Sequence, residues 1–149
     1  MSIKEFLSPN DVLADFAAPS KVLLLQGLAR RASGTLQLPA ELISNALLKR
    51  EELGSTGTGG GIAIPHARLP GLDKPLGILV RLRQPIDFAA IDGQPVDLVC
   101  VLLLPIASGK DQLNALASVA RILRNPDSVR SLRHARDGAD LFRTMMTFA

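Results

Sequence analysis

Apolar residues recur at three- and four-residue intervals between Ser20 and Gly34, at Val22, Leu25 and Leu28, and again from Pro39 to Glu52, at Leu42, Ile43, Ala46 and Leu47. Such spacing gathers them on one side of a helix with 3.6 residues per turn, and it predicts two amphipathic helices. Ser20 stands where it can cap the first and Gly34 where it can stop it. Pro39 occupies the first turn of the second, where a missing N–H does no harm, and Gly54 closes it.

The pattern then changes. Residues 54–61, GSTGTGGG, hold five glycines in eight positions and are predicted as a loop that belongs to neither a helix nor an ordinary strand. Ile62-Ala63-Ile64 predicts a short strand ending at Pro65-His66, because Pro lacks a donor and pushes its predecessor to extended backbone. Residues 77–83 and 97–104 predict two further strands; the second, DLVCVLLL, lacks polar alternation, as a strand covered on both faces would. Asp92-Gly93 marks a turn between them, and helices are expected at 109–124, 126–134 and 137–147. Helices on both sides of a block of strands imply an α/β (α+β) fold, a mixed β-sheet sandwiched between helices, as a single domain over residues 1–149.

Composition supports a packed core: the 149 residues are 47% hydrophobic with a formal charge of only +3. Five Phe and no Tyr or Trp leave few platforms for stacking bases, so no nucleic acid partner is expected. Cys100, the single cysteine, lies inside the apolar run Leu98–Leu104, which excludes an intramolecular disulfide and points to a core thiol. That seven-residue run is the longest in the chain, against the roughly 18 a membrane span needs, so no membrane insertion is expected. Lys4, Glu5, Asp11 and Asp15 interrupt the N-terminal segment, which does not read as a secretory leader, and a cytoplasmic location is the expectation. Charge is balanced over residues 1–120, and the excess comes from residues 121–149, with Arg121, Arg124, Arg130, Arg133, Arg136 and Arg143. These arginines read as a solvated helical face, with a docking patch for an acidic partner or nucleic acid as the alternative.

Several motifs fail on the glycine-rich loop. Gly54 and Gly59 have the outer spacing of a P-loop, but Gly60 and Gly61 stand where Lys and Ser/Thr are required. The dinucleotide fingerprint fails because Ile62 or Ile64 falls on its last glycine and the loop precedes a strand instead of following one. Leu53 occupies the first glycine of an esterase elbow, and His66 and His134, the only histidines, lie too far apart in sequence to suggest a metal site. No metal and no cofactor are expected. What remains is His66 behind Pro65, with Ser55, Thr56 and glycine amides upstream and Arg68 downstream. Imidazole can take a phosphoryl group as a nucleophile, while hydroxyls, amides and a guanidinium can hold the charged oxygens. A structural histidine remains the alternative on these residues alone.

The segments LLKREELGSTGTGGGIAIPHARL and RLRQPIDFAAIDGQPVDLVCVLLLP resemble the enzyme IIA domain of the fructose/mannitol/nitrogen-regulatory type in bacterial phosphotransferase systems, and the resemblance runs over nearly the whole chain. It implies that His66, in the I-P-H motif, accepts a phosphoryl group from a small histidine phosphocarrier protein, HPr or its nitrogen-branch counterpart NPr. It also implies that Arg50, Ser55 and Thr56 steady the phosphoryl oxygens. The family's second histidine, in an H-L-x-x-L pattern, is replaced here by Gln112, which can donate an amide hydrogen bond but cannot carry a proton. His134, in the SLRHARD segment, is not a substitute and reads as a surface or packing residue. The wording of the motifs is closer to the nitrogen-regulatory type, which implies a stand-alone regulator whose phosphorylation state controls unidentified targets. A sugar-specific IIA component of a transport system, or an unphosphorylated module binding through the arginine-rich tail, are the alternatives.

Overall fold

Helices α1 (Lys21–Leu36) and α2 (Ala40–Glu52) lie close to their expected positions in the computed structural model, which describes residues 2–107 and 109–149. Ser20 caps α1 by accepting the Leu23 N–H at 3.2 Å. Gly34 does not end it: the helix runs on to Leu36, because Gln37 takes the left-handed cap conformation (φ 56°) and returns its N–H to Ser33.

Six strands follow the order of the chain: β1 (Val12–Phe16), β2 (Gly57–Gly59), β3 (Ile62–Ala63), β4 (His66–Leu69), β5 (Leu76–Ile86) and β6 (Val96–Pro105). Three more helices complete the fold, α3 (Gly109–Arg124), α4 (Pro126–Arg133) and α5 (Gly138–Thr147). The sheet order is β1-β5-β6-β3-β2, with β4 also on β6. β1 runs parallel to β5, and β3 and β4 run parallel to β6, whereas β5–β6 and β2–β3 are antiparallel, so the sheet is mixed as expected.

β6 is the axis of the molecule. Its residues alternate between two cores: Leu98, Cys100, Leu102 and Leu104 pack with α3, α4 and α5, while Val99, Val101 and Leu103 pack with α1 and α2. A strand with helices on both faces has no polar side, which is why its sequence is continuously apolar from Leu98 to Leu104. Cys100 is fully buried there, and burial pushes its thiol up to about 12.

Two expectations need correction around the glycine loop. Residues 57–63 are a miniature hairpin, not an unpaired loop: β2 pairs with β3 across Gly60 and Gly61. A β-carbon on Gly61 (φ +81°) would run into Arg133 and lie 2.8 Å from Asp97 Oδ1, so glycine is required there. His66 begins a strand instead of ending one: β3 stops at Ala63, the Ile64 N–H bonds the Thr56 carbonyl and the Pro65 carbonyl accepts the Leu102 N–H, and the chain continues along β6 as β4. β1 has no counterpart among the expected elements.

Candidate functional site

β4 alternates as a strand must. Ala67 and Leu69 turn into the core under α1 and α2, and His66 and Arg68 turn out on the opposite side. His66 is opposite Leu102 in the register, so its ring shares a face with the residues that pack against α3. α3 crosses this face through Ala115 and Val119 and leaves open space on either side of the imidazole.

His66 is half-buried, and its Nδ1 lies 2.9 Å from the Ile64 carbonyl. A carbonyl only accepts, so Nδ1 carries the hydrogen and Nε2 keeps its lone pair. No described residue bonds Nε2. Burial, aided by the Arg50 charge, holds the ring's pKa below its ordinary 6.5, against the opposing pull of the Ile64 bond and the Glu51 carboxylate. The ring is therefore neutral and nucleophilic at neutral pH.

A cavity of about 600 Å³ opens on one side of the ring and is lined by Arg50, Ser55, Thr56, Thr58 and, from α3, Leu116, Arg121 and Arg124. A second, of about 560 Å³, opens on the other side between Lys49, Arg50, Leu53, Arg68, Gln112 and Leu113. His66 and Arg50 belong to both. The structure thus brings His66, Arg50, Ser55, Thr56, Gln112 and Arg68 together, and it leaves His134 out, exposed at the end of α4.

The two hydroxyls point their hydrogens elsewhere. Ser55 Oγ donates to the Phe88 carbonyl at 2.7 Å and accepts the Gly57 N–H at 3.0 Å, while the Thr56 hydroxyl donates to Glu51. Both side chains hold the loop in shape. Arg50 ties the same loop to its helix by donating to the Gly54 carbonyl at 2.9 Å. Gln112 is 2% exposed; its amide nitrogen donates to the Pro105 carbonyl, and its buried Oε1 has no hydrogen-bond partner among the described residues.

Glu51 supports the site although it was not singled out in the sequence. Its nearly buried carboxylate receives Lys21 Nζ at 2.8 Å, the Thr56 N–H at 3.2 Å and the Thr56 hydroxyl. Lys21 in turn sits 4.7 Å over the Phe88 ring, joining α1, α2 and the loop. The signal was present in the arginine–glutamate pair at 50 and 51, because consecutive helical residues point about 100° apart, one outward and one inward.

The arginine-rich tail is not one patch. Arg130 pairs with Asp127, Arg133 with Asp97, and Arg136 and Arg143 with Asp140, whereas Arg121 and Arg124 face the cavity beside His66. No group of three or more His, Cys, Asp or Glu among the described residues could hold a metal, and none of their helices is long and apolar enough to cross a membrane.

Comparison with known proteins places this geometry in context. Residues 5–146 match the family model described as "Phosphoenolpyruvate-dependent sugar phosphotransferase system, EIIA 2". The chain is 43% identical over 142 residues to a nitrogen regulatory protein of Bradyrhizobium diazoefficiens, covering 95% of this chain and 93% of that one. It is 37% identical over 145 residues to one of Pseudomonas aeruginosa, covering 97% and 94%. The crystal structure of the nitrogen regulatory protein IIA-Ntr from Neisseria meningitidis superposes with a TM-score of 0.91 at 30% identity, covering 96% of this chain and 98% of that one.

Proposed function

The chain belongs to the EIIA 2 family of the phosphoenolpyruvate-dependent sugar phosphotransferase system, and from that premise we propose that it is a phosphoryl carrier of the nitrogen-regulatory kind with His66 as acceptor. The observation that carries the assignment is the tautomer: with Nδ1–H held by Ile64, the free lone pair of His66 is on Nε2, beside Arg50.

The donor is a phosphohistidine on a small histidine phosphocarrier, HPr or NPr. His66 Nε2 attacks phosphorus, a new N–P bond forms, and the donor's N–P bond breaks with its electron pair returning to the donor ring. Each ring keeps its other N–H, so no proton changes hands. The positive charge gained by the His66 ring is stabilised by the Ile64 carbonyl and the Glu51 carboxylate, both of which favour the cationic ring. Arg50 meets the phosphoryl oxygens, and Ser55 and Thr56 act by fixing the loop that confines them. The Gln112 amide nitrogen has a second hydrogen beyond the one given to Pro105, and this is what it offers to the phosphoryl group.

Phosphorylation places a phosphoryl group of about −1.5 to −2 charge, partly offset by the cationic ring, between the two cavities, and target proteins read that change. Its likeness to nitrogen regulatory proteins along nearly its full length supports this regulatory reading over a sugar-specific one.

The test is intact-protein mass spectrometry after incubation with phosphoenolpyruvate, the general phosphotransferase enzyme and a histidine phosphocarrier. The wild type gains one acid-labile phosphoryl group and His66→Ala gains none; full labelling of His66→Ala overturns the assignment. Gln112→Leu still accepts phosphate but loses it faster.

A further inference from the structure

Five cationic side chains, Lys49, Arg50, Arg68, Arg121 and Arg124, line the two cavities that flank His66. They come from α2, β4 and α3, so no single stretch of sequence shows them together. Among the described residues none of the five is in an ion pair, and no carboxylate lines either cavity. The arginines of α4 and α5, by contrast, are paired with Asp97, Asp127 and Asp140. The two cavities beside the reactive ring thus carry cationic side chains without a carboxylate among their described lining residues.

Arg121 and Arg124 stand apart from Arg50 in one respect. Arg50 acts directly on the charge state of His66, and neither α3 arginine does. Both are exposed on α3 and line the cavity that His66 opens into, so a protein docking over His66 meets them. Two exposed leucines, Leu53 (84%) and Leu113 (69%), flank the opposite cavity and supply apolar contact between the charges.

We propose that Arg121 and Arg124 are docking residues that steer the phosphodonor protein onto His66 by attracting an acidic face surrounding its phosphohistidine. This rests on the phosphoryl-carrier reading above and adds the chemistry of the partner surface. Cations outside the reaction centre raise the encounter rate through a long-range field that salt screens within about 10 Å at 0.1 M. The phosphoryl group alone does not need them, because Arg50 already serves it.

The experiment measures phosphoryl transfer by rapid quench from a phosphorylated histidine phosphocarrier over a series of salt concentrations, and in parallel from phosphoramidate, a small donor with no docking surface. In Arg121→Gln/Arg124→Gln the second-order rate from the carrier falls about tenfold at low salt, and the difference closes as salt rises. The Lys versions at both positions restore the rate, since they keep the charge. Arg130→Gln/Arg143→Gln, on the paired side, transfers like the wild type. Unchanged thermal melts exclude misfolding of the exposed α3 face.

Carrier transfer by Arg121→Gln/Arg124→Gln at the wild-type rate and salt slope overturns the inference and leaves the role of His66 intact. An equal loss with phosphoramidate also overturns it, by showing that the arginines act on the phosphoryl group itself. Failure of wild-type protein to take phosphate from either donor is instead the failure of the phosphoryl-carrier reading.

Discussion

Replacing Glu51 by Gln tests whether one buried carboxylate holds the loop beside His66. The Glu51 side chain is 5% exposed and faces Lys21, itself 20% exposed. Gln keeps an oxygen for Thr56, but it brings an amide NH₂ with no acceptor and leaves Lys21 facing a neutral group. Removing one partner from a buried ion pair costs about 3–5 kcal/mol. Water at the partly exposed Lys21 and the surviving Thr56 bond offset part of this, so the expected loss is about 2–3 kcal/mol. In a chain of this length, that lowers Tm by about 4–12 °C.

Urea denaturation at pH 7 reads the loss directly, and the double variant Lys21→Met/Glu51→Gln loses less than the sum of the single variants, by about 1–2 kcal/mol. A Glu51→Gln stability within about 0.5 kcal/mol of wild type, or strict additivity of the two changes, refutes the account. A second readout separates support from electrostatics. Glu51 favours the charged form of His66, so its neutralisation lowers the imidazole pKa further, which an NMR titration detects. An unmoved His66 titration refutes the electrostatic half of the argument even if stability falls.

Because the His66 pKa lies below 6.5, phosphoryl acceptance holds at neutral pH and declines as pH falls through that lowered value, when the ring protonates and loses its nucleophilic lone pair; transfer rates across pH 5–8 check this. The same shift has a consequence for stability: the unfolded chain binds a proton more readily than the folded one, so stability declines as pH drops below 6.5 and levels off beneath the folded pKa. The decline is absent in His66→Gln, as paired urea titrations of the two proteins at pH 7.5 and 5.5 test. Gly61→Ala forces a β-carbon against Arg133 and Asp97 at φ +81° and is expected to lose about 2–4 kcal/mol in urea denaturation, with the Arg133–Asp97 pair broken. Cys100, with its thiol at about 12 and no exposure, reacts with a thiol reagent only after unfolding, which a thiol assay with and without denaturant measures.

How much of this was legible depended on whether the determining contacts are local. α1, α2 and β6 follow from periodicity because one buried stripe, or two buried faces, leaves a regular trace in the chain. β1 leaves little: its five residues include Asp15 at φ 55° and a register shift between Leu13 and Phe16, so partial burial interrupts the alternation. β2 is invisible to propensity because its two glycines disfavour a strand, and its pairing is decided by close approach: a β-carbon on Gly57 would lie 2.7 Å from that of Ala90. The same division runs through the site. His66, Ser55 and Thr56 stand out in the local sequence, and Arg50 and Gln112 were singled out only through the family resemblance; the structure brings all five to the two cavities. Arg121 and Arg124 look like ordinary solvated arginines until α3 is packed across β6, and only that packing separates them from Arg130 and Arg143. The local motif therefore marks the proposed nucleophile, while the set of cations around it is a property of how three elements are assembled. A substitution that shifts α3 by loosening Ala115 or Val119 against the sheet should change partner selection before it changes the chemistry at His66.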